Sequence, residues 1–322
     1  MKTVKLFFSL IVVAIVFIGS CMLSGCKKDD SEDSVSNSQK DDNVALPGLF
    51  SVAEGKQVRF APGNLQYTTT GTHACADSTT KPGTWRFAEH QYDYVGSASQ
   101  NGQNRNVASG NVSGSDNANI SSSYTGWIDL FGWGTSGYNG CNPYLSSTTD
   151  GDYGPLSGDI AGTNYHWGVY NAISNGGNVA GKWRMLTNDE WNYLCNTRTE
   201  ASSKCGLATV NEVQGMVFLP DSWTTPASCT FTSGYDNGWT TNSYTTTQWE
   251  AMEAAGALFL PAAGDRKGTT VGDVGSFGNY CSSTVCVGSS SGAFRLAFGS
   301  GYLYTGFNYR TCGHSVRLVC VE

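Results

Sequence analysis

The chain predicts an α+β domain of many short strands, about two main helices and long loops. Three observations carry this. Apolar residues alternate with others in short runs, as Phe294, Leu296 and Phe298 do with Arg295 and Ala297, the period of a strand with one buried face. The composition is turn-rich and weakly charged, with 40 glycines in 322 residues and 14% Asp, Glu, Lys and Arg, as in extracellular β proteins. Only two helices are legible, the first with capping-box spacing at its start.

In chain order, Lys2 and Lys5 precede an apolar run from Leu6 to Ile18, too short and wrongly flanked for a stable membrane span. Leu23-Ser24-Gly25-Cys26 matches a bacterial lipobox, so residues 1–25 are expected to be a signal peptide and Cys26 to carry lipid. A cut before Cys21 fits less well, because Gly19 and Ser20 follow Ile18 less typically, and an ordinary secretory signal is the plainer alternative. The run Lys27-Lys28-Asp29-Asp30-Ser31-Glu32-Asp33 resembles a signal that sends lipoproteins to the outer face of a Gram-negative outer membrane; it also reads as a solvated tether. Residues 26–43 are polar and lack aromatics, so they are expected to form a flexible, lipid-anchored linker. The expected location is the outer membrane, facing the cell exterior, with membrane contact through the lipid alone.

Residues 44–322 remain for the folded domain. Leu49–Val52, Lys56–Phe60, Leu65–Tyr67, Trp85–Ala88 and Tyr92–Val95 read as short strands, with a turn at Ala61-Pro62-Gly63-Asn64. Residues 100–123 read as a long irregular excursion. Trp127–Gly134, dense in aromatics, reads as a core hairpin or buried loop rather than a sugar-stacking platform. Thr187 and Glu190 have capping-box spacing at the first helix, with Trp191 and Leu194 on one face. The second helix is expected from about Thr246 to Ala255, feeding a buried strand at Ala257–Pro261, and Val213–Pro220 reads as another central strand. Alternating runs around Phe294–Phe298, Tyr302–Tyr304 and Val316–Cys320 close the chain.

The formal net charge of −7 and the scarcity of Lys and Arg argue against a nucleic-acid partner, which needs a basic face. No P-loop, dinucleotide fingerprint or zinc-type Cys/His spacing is present. His73, His90, His166 and His314 show no metal or nucleophile spacing, and His314 reads as packing near the last strand. Asp265, Asp273, Asp221 and Asp236 are compatible with a structural calcium ion, but no loop has regular oxygen-ligand spacing and solvated carboxylates are the preferred reading. No other cofactor is expected. Nine cysteines remain once Cys21 and Cys26 are set aside; in an exported protein at least one disulfide is expected, with Cys195–Cys205 the first choice.

From Asn279 to Gly313 there is no Lys, Glu, Gln, Met or Trp. None of those five has a codon ending in cytosine, so an asparagine codon varied at its first two bases never reaches them. Chance in a Gly/Ser-rich stretch is the plain alternative. The pattern Asn279-Tyr280-Cys281-Ser282-Ser283, Ala293-x-x-Leu296-x-Phe298 and Gly313-His314-Ser315-Val316-Arg317 resembles the C-terminal block of C-type-lectin-like domains of the formylglycine-generating-enzyme type. Trp183-Arg184-Met185-Leu186-Thr187-x-x-Glu190-Trp191 resembles a second element of those domains. Within the superfamily the chain looks most like the variable proteins of diversity-generating retroelements, although these usually have Trp where Cys281 stands.

That resemblance implies a C-type-lectin-like fold, with a variable region at about 279–313 on a constant scaffold. It implies a non-catalytic protein that binds a macromolecular ligand, protein or glycan. The implied ligand-binding residues are Thr284, Val285, Cys286, Ser289, Ser290, Arg295, Ala297, Ser300, Tyr302, Tyr304, Phe307, Asn308, Tyr309, Arg310, Thr311 and Cys312. Tyrosines and Phe307 would supply rigid contact area while Ser, Thr, Asn and Gly adapt hydrogen bonding, the mixture antibody paratopes use. The alternatives are an enzyme of the formylglycine-generating type, whose copper-binding cysteine pair has no clear counterpart here, and a fimbrial or adhesin subunit with a fixed ligand.

Overall fold

The structure is a computed structural model that describes residues 44–95, 110–112, 116–135, 142–155, 157–288 and 291–321, all within one unit, Asp41–Glu322. The leader, Cys26, the tether, Cys141, Ser289 and Ser290 lie outside the described residues.

Phe50–Ala53 (β1) and Lys56–Phe60 (β2) form a hairpin whose alternate residues Phe50, Val52, Val58 and Phe60 are buried. Leu65–Ala74 (β3) pairs with Thr80–Phe87 (β4), a longer ribbon than the expected strands. Tyr92–Val95 is not a strand but a buried loop. A side chain rather than a ladder satisfies part of its backbone, Val95 N donating to Asp129 Oδ2 at 2.7 Å, and its own Asp93 Oδ2 accepts from His90 N at 3.1 Å. Gly110–Val112 (β5) lies inside the stretch expected to be irregular. Trp127–Gly134 is the buried loop the sequence suggests: Ile128 bridges Tyr67, Phe131 bridges His314, and Trp133 Nε1 donates to the Ser282 carbonyl at 2.9 Å.

Asn188–Asn192 (α1) starts at a complete capping box, Thr187 with Glu190, and widens into a π-type turn at Tyr193–Thr197. Cys205–Val210 (β6), Val213–Phe218 (β7), Asn242–Tyr244 (β8) and, after Thr246–Ala254 (α2), Leu258–Pro261 (β9) build a sheet in the order β8-β6-β7-β9. Every residue of β9 is buried, as its unbroken apolar run requires.

Asp265–Lys267 (β10) and Thr270–Val274 (β11) precede the long strands Phe277–Val285 (β12), Gly292–Gly299 (β13) and Tyr302–Tyr309 (β14). Cys312–Gly313 (β15) and Val319–Val321 (β16) close the fold. The sheets run β15-β10-β11-β5, β12-β13-β14 and β1-β2-β16, so the end of the domain is sewn beside its beginning through pairs such as Phe60↔Val319. The expected strand over Val316–Cys320 is ladder only from Val319. Val316 and Leu318 are buried as expected, but their carbonyls accept from Leu65 N and Ala61 N instead, both at 2.9 Å.

One core cluster joins Phe60, Trp191, Met216, Tyr280, Leu296 and Phe298. A second gathers Trp85, Trp133, Trp167, Trp183, Val316 and Leu318, and a third lies under α2 around Trp249, Met252 and Phe259. β12 and β13 feed the first two, so their hairpin is fixed from within. The architecture is mostly β-sheet with two short helices and connecting loops, compatible with a mainly-β or an α+β class.

Candidate ligand-binding face

β13 and β14 pair without a register break, from Gly292↔Tyr309 to Gly299↔Tyr302, around a two-residue turn in which Gly301 has a φ of 91°. β14 is the outer strand of its three-stranded sheet. Strand parity assigns the side chains. Leu296, Phe298 and Leu303 share one face and anchor it to the core, whereas Arg295, Ala297, Tyr302, Tyr304 and Asn308 share the other.

Three aromatics of β14 reach solvent: Tyr304 is 45%, Phe307 60% and Tyr309 59% exposed. With Val179 and Val287 they are the exposed large hydrophobics among the described residues. They do not form the single face expected. Phe307 and Tyr309 lie on the parity of Leu303, beyond the end of the core, and Phe307 sits opposite half-buried Phe294. Tyr302 and Tyr304 lie on the other side, so β14 offers aromatic surface on both of its faces.

On the Tyr304 side the rings form a staircase. Phe277 and Tyr302 stack with centroids 5.6 Å apart, and Tyr302 and Tyr304 are also 5.6 Å apart. Arg295 Cζ lies 5.7 Å from the Tyr304 ring centroid, within cation–π range. Burial and the neighbouring Tyr304 push the Tyr302 hydroxyl up to about 12, so it stays a neutral donor at physiological pH. Arg295 Nε and Nη1 are buried and have no hydrogen-bond partner. Being buried, these two donors do not reach a ligand at the surface, and Arg295 contributes to this side through its place beside the Tyr304 ring.

The remaining expected site residues divide. Cys286 and Thr311 are half-buried and Ser300 is exposed at the hairpin tip. Thr284 is half-buried, and its Oγ1 accepts from Asn188 N at 3.0 Å at the start of α1. Asn308 Nδ2 lies 3.2 Å from His314 Nε2. Val285, Ala297, Arg310 and Cys312 are buried and cannot meet a ligand at the surface, which corrects the expectation for those four. Val285 packs in the second core cluster, and its amide donates to Asp159 Oδ1 at 2.8 Å. Ala297 is flanked in register by Asn279 and Tyr304. Arg310 donates Nε to the Gly292 carbonyl at 3.3 Å and lies over Trp133, and Cys312 pairs with Lys267 in the β10–β15 ladder.

Two further expectations need revision. Cys195 and Cys205 are neighbours in the first core cluster but are free thiols, not a disulfide; Cys75, Cys229, Cys281, Cys286 and Cys312 are free as well. The four aspartates do not share a calcium cluster among the described residues. Asp221 is held by Ser51, Gln57 and Arg198, and Asp236 and Asp273 are exposed. Asp265 is not a solvated loop carboxylate; it is 9% exposed and lies with Cys312 and His314. The sequence named all three of these residues but not together, because a ladder between strands 47 positions apart leaves no local spacing.

The fold and site thus define a β-rich domain that displays an aromatic hairpin from a fixed core. Comparison with protein families, with curated proteins and with solved structures gave no match.

Proposed function

We propose that this chain is a lipid-anchored, surface-displayed ligand-binding protein whose domain is C-type-lectin-like, of the formylglycine-generating-enzyme type. Its β13–β14 hairpin, in a region diversified through asparagine codons, binds a protein or glycan ligand, and the protein is not an enzyme. The observation that carries this reading is the exposure of Tyr304, Phe307 and Tyr309 on an outer strand whose partner is locked into the core by Leu296 and Phe298. Exposed aromatics gain no stability from burial, and clustered apolar surface on a soluble face marks an interaction site. Arg295, beside the Tyr304 ring, adds a cation on that side. The motif resemblance and the lipobox at Leu23-Ser24-Gly25-Cys26 support the scaffold and the anchor.

The test is a binding screen of the purified chain against glycan arrays and displayed cell-surface proteins, repeated with Tyr304, Phe307 and Tyr309 all changed to alanine. The triple variant should keep its fold and lose the ligand recovered with the wild type. Collapse of the fold in the triple variant would refute the reading, as would undiminished binding. Protease shaving of intact cells should release the domain, and Cys26→Ala should abolish membrane retention. A near-identical template repeat beside a reverse-transcriptase gene is expected in the neighbouring DNA; without it the diversification part fails and a fixed ligand remains.

A further inference from the structure

Beneath the Tyr304 side of the hairpin, Asp265, Cys312 and His314 place one ligand atom each within 4.8 Å of one another. Backbone pairing holds all three in place. Asp265 opens β10 directly after Gly264, whose φ of 74° and close approach to the Gly272 carbonyl leave no room for a side chain. Cys312 is fixed by its ladder pairing with Lys267. His314 exchanges reciprocal backbone hydrogen bonds with Phe131, both at 3.0 Å. The three residues are 9%, 2% and 5% exposed. Two cationic side chains, Lys267 and Arg295, act electrostatically on both the Asp265 carboxylate and the Cys312 thiol.

We propose that Asp265, Cys312 and His314 bind a divalent transition-metal ion of the zinc class. The donor set decides the class. A sulfur, a nitrogen and an oxygen at three corners suit zinc or cobalt, with a fourth position left for water or a ligand atom, whereas calcium and magnesium prefer oxygen alone. Charge balance agrees. The ion displaces the Cys312 proton to solvent, and a dication with one thiolate, one carboxylate and a neutral imidazole is a neutral centre. Asn308 couples the centre to the hairpin. Tyr309 N fixes its Oδ1 at 2.9 Å, so its amide nitrogen faces His314 Nε2, on the imidazole that would hold the ion. The inference does not depend on the ligand-binding reading.

The test is cobalt(II) titration of the full chain, tag-free, in detergent and with a phosphine reductant. The wild type should take up one equivalent with tetrahedral d–d bands and a thiolate-to-cobalt charge-transfer band, and zinc should bleach both. Cys312→Ser should remove the charge-transfer band and weaken binding roughly tenfold or more, with His314→Gln and Asp265→Asn weakening it similarly. Cys286→Ser, at a half-buried thiol outside the cluster, should change nothing. Absence of a thiolate band in the wild type overturns the proposal without reference to any variant. So does a band that survives Cys312→Ser, or calcium outcompeting cobalt.

Discussion

Arg317 Nε donates to Asn64 Oδ1 at 3.0 Å inside the core, joining positions 253 residues apart. The rest of the guanidinium fans out to the Gln91 carbonyl at 3.1 Å and, more loosely, to Gln91 Oε1 and the Ala61 carbonyl. Gln91 accepts from Phe259 N at 2.7 Å and donates to Glu253 at 2.9 Å, while Asn64 reaches the Tyr280 hydroxyl. Burial lowers the Arg317 pKa to about 10 against the opposing pull of Tyr280 and Glu253, so the cation persists at neutral pH. Arg317→Leu would strand these acceptors without water and should cost about 3–5 kcal/mol in urea unfolding. Arg317→Lys should recover only part of that, because a point charge cannot span the fork. A leucine variant as stable as wild type would show that the network does not hold the fold.

His166 should make the domain acid-sensitive. Its Nε2 accepts from Met185 N at 2.8 Å, and burial, helped by Arg184 and opposed by Glu190, holds its pKa down to about 3 against 6.5 in the unfolded chain. Between those values the unfolded state binds a proton that the folded state refuses. Stability therefore falls as pH drops through 6.5 and goes on falling toward 3, by up to about 1.4 kcal/mol per pH unit from this residue. Urea midpoints of wild type and His166→Gln, compared from pH 7 to 4, should converge as the pH falls. Parallel pH profiles would refute the assignment.

Where local chemistry sets the structure, the sequence is readable. Thr187 and Glu190 make the capping box their spacing announces, and the apolar run at Leu258–Pro261 is buried throughout. Reading fails where a residue's partner is distant. Tyr92–Val95 alternates like a strand, yet Asp129, far along the chain, takes one of its amides. Arg310 and Ala297 sit among solvent-type residues, but Trp133, Asn279 and Tyr304 enclose them. Asp265 meets Cys312 and His314 only through the β10–β15 ladder, which no sequence period encodes.

The corrected division of the hairpin is measurable. Leu296→Ala removes a fully buried side chain and should cost about 2–5 kcal/mol, whereas Phe307→Ala should stay within about 0.5 kcal/mol. Ala297→Tyr overfills a closed position and should cost about 1–3 kcal/mol, while Ser300→Tyr at the exposed tip should be near neutral. Equal tolerance at positions 297 and 300 would return Ala297 to the binding face.

The thiols should react in the order of their burial. Burial raises the pKa of Cys195 far above its ordinary value, that of Cys281 to about 12 and that of Cys205 to about 11, so almost no thiolate forms at pH 8. Cys286 is half-buried and should be alkylated by iodoacetamide in the native state well before these three, which should react only after denaturation. Cys195 and Cys205 share one core cluster, so an oxidising compartment gives them a route to a bridge that the packed structure does not use. Mass mapping of non-reduced peptides should recover the two separately. Recovery of a linked Cys195–Cys205 peptide from cells would overturn the free-thiol assignment and restore the bridge expected from their spacing.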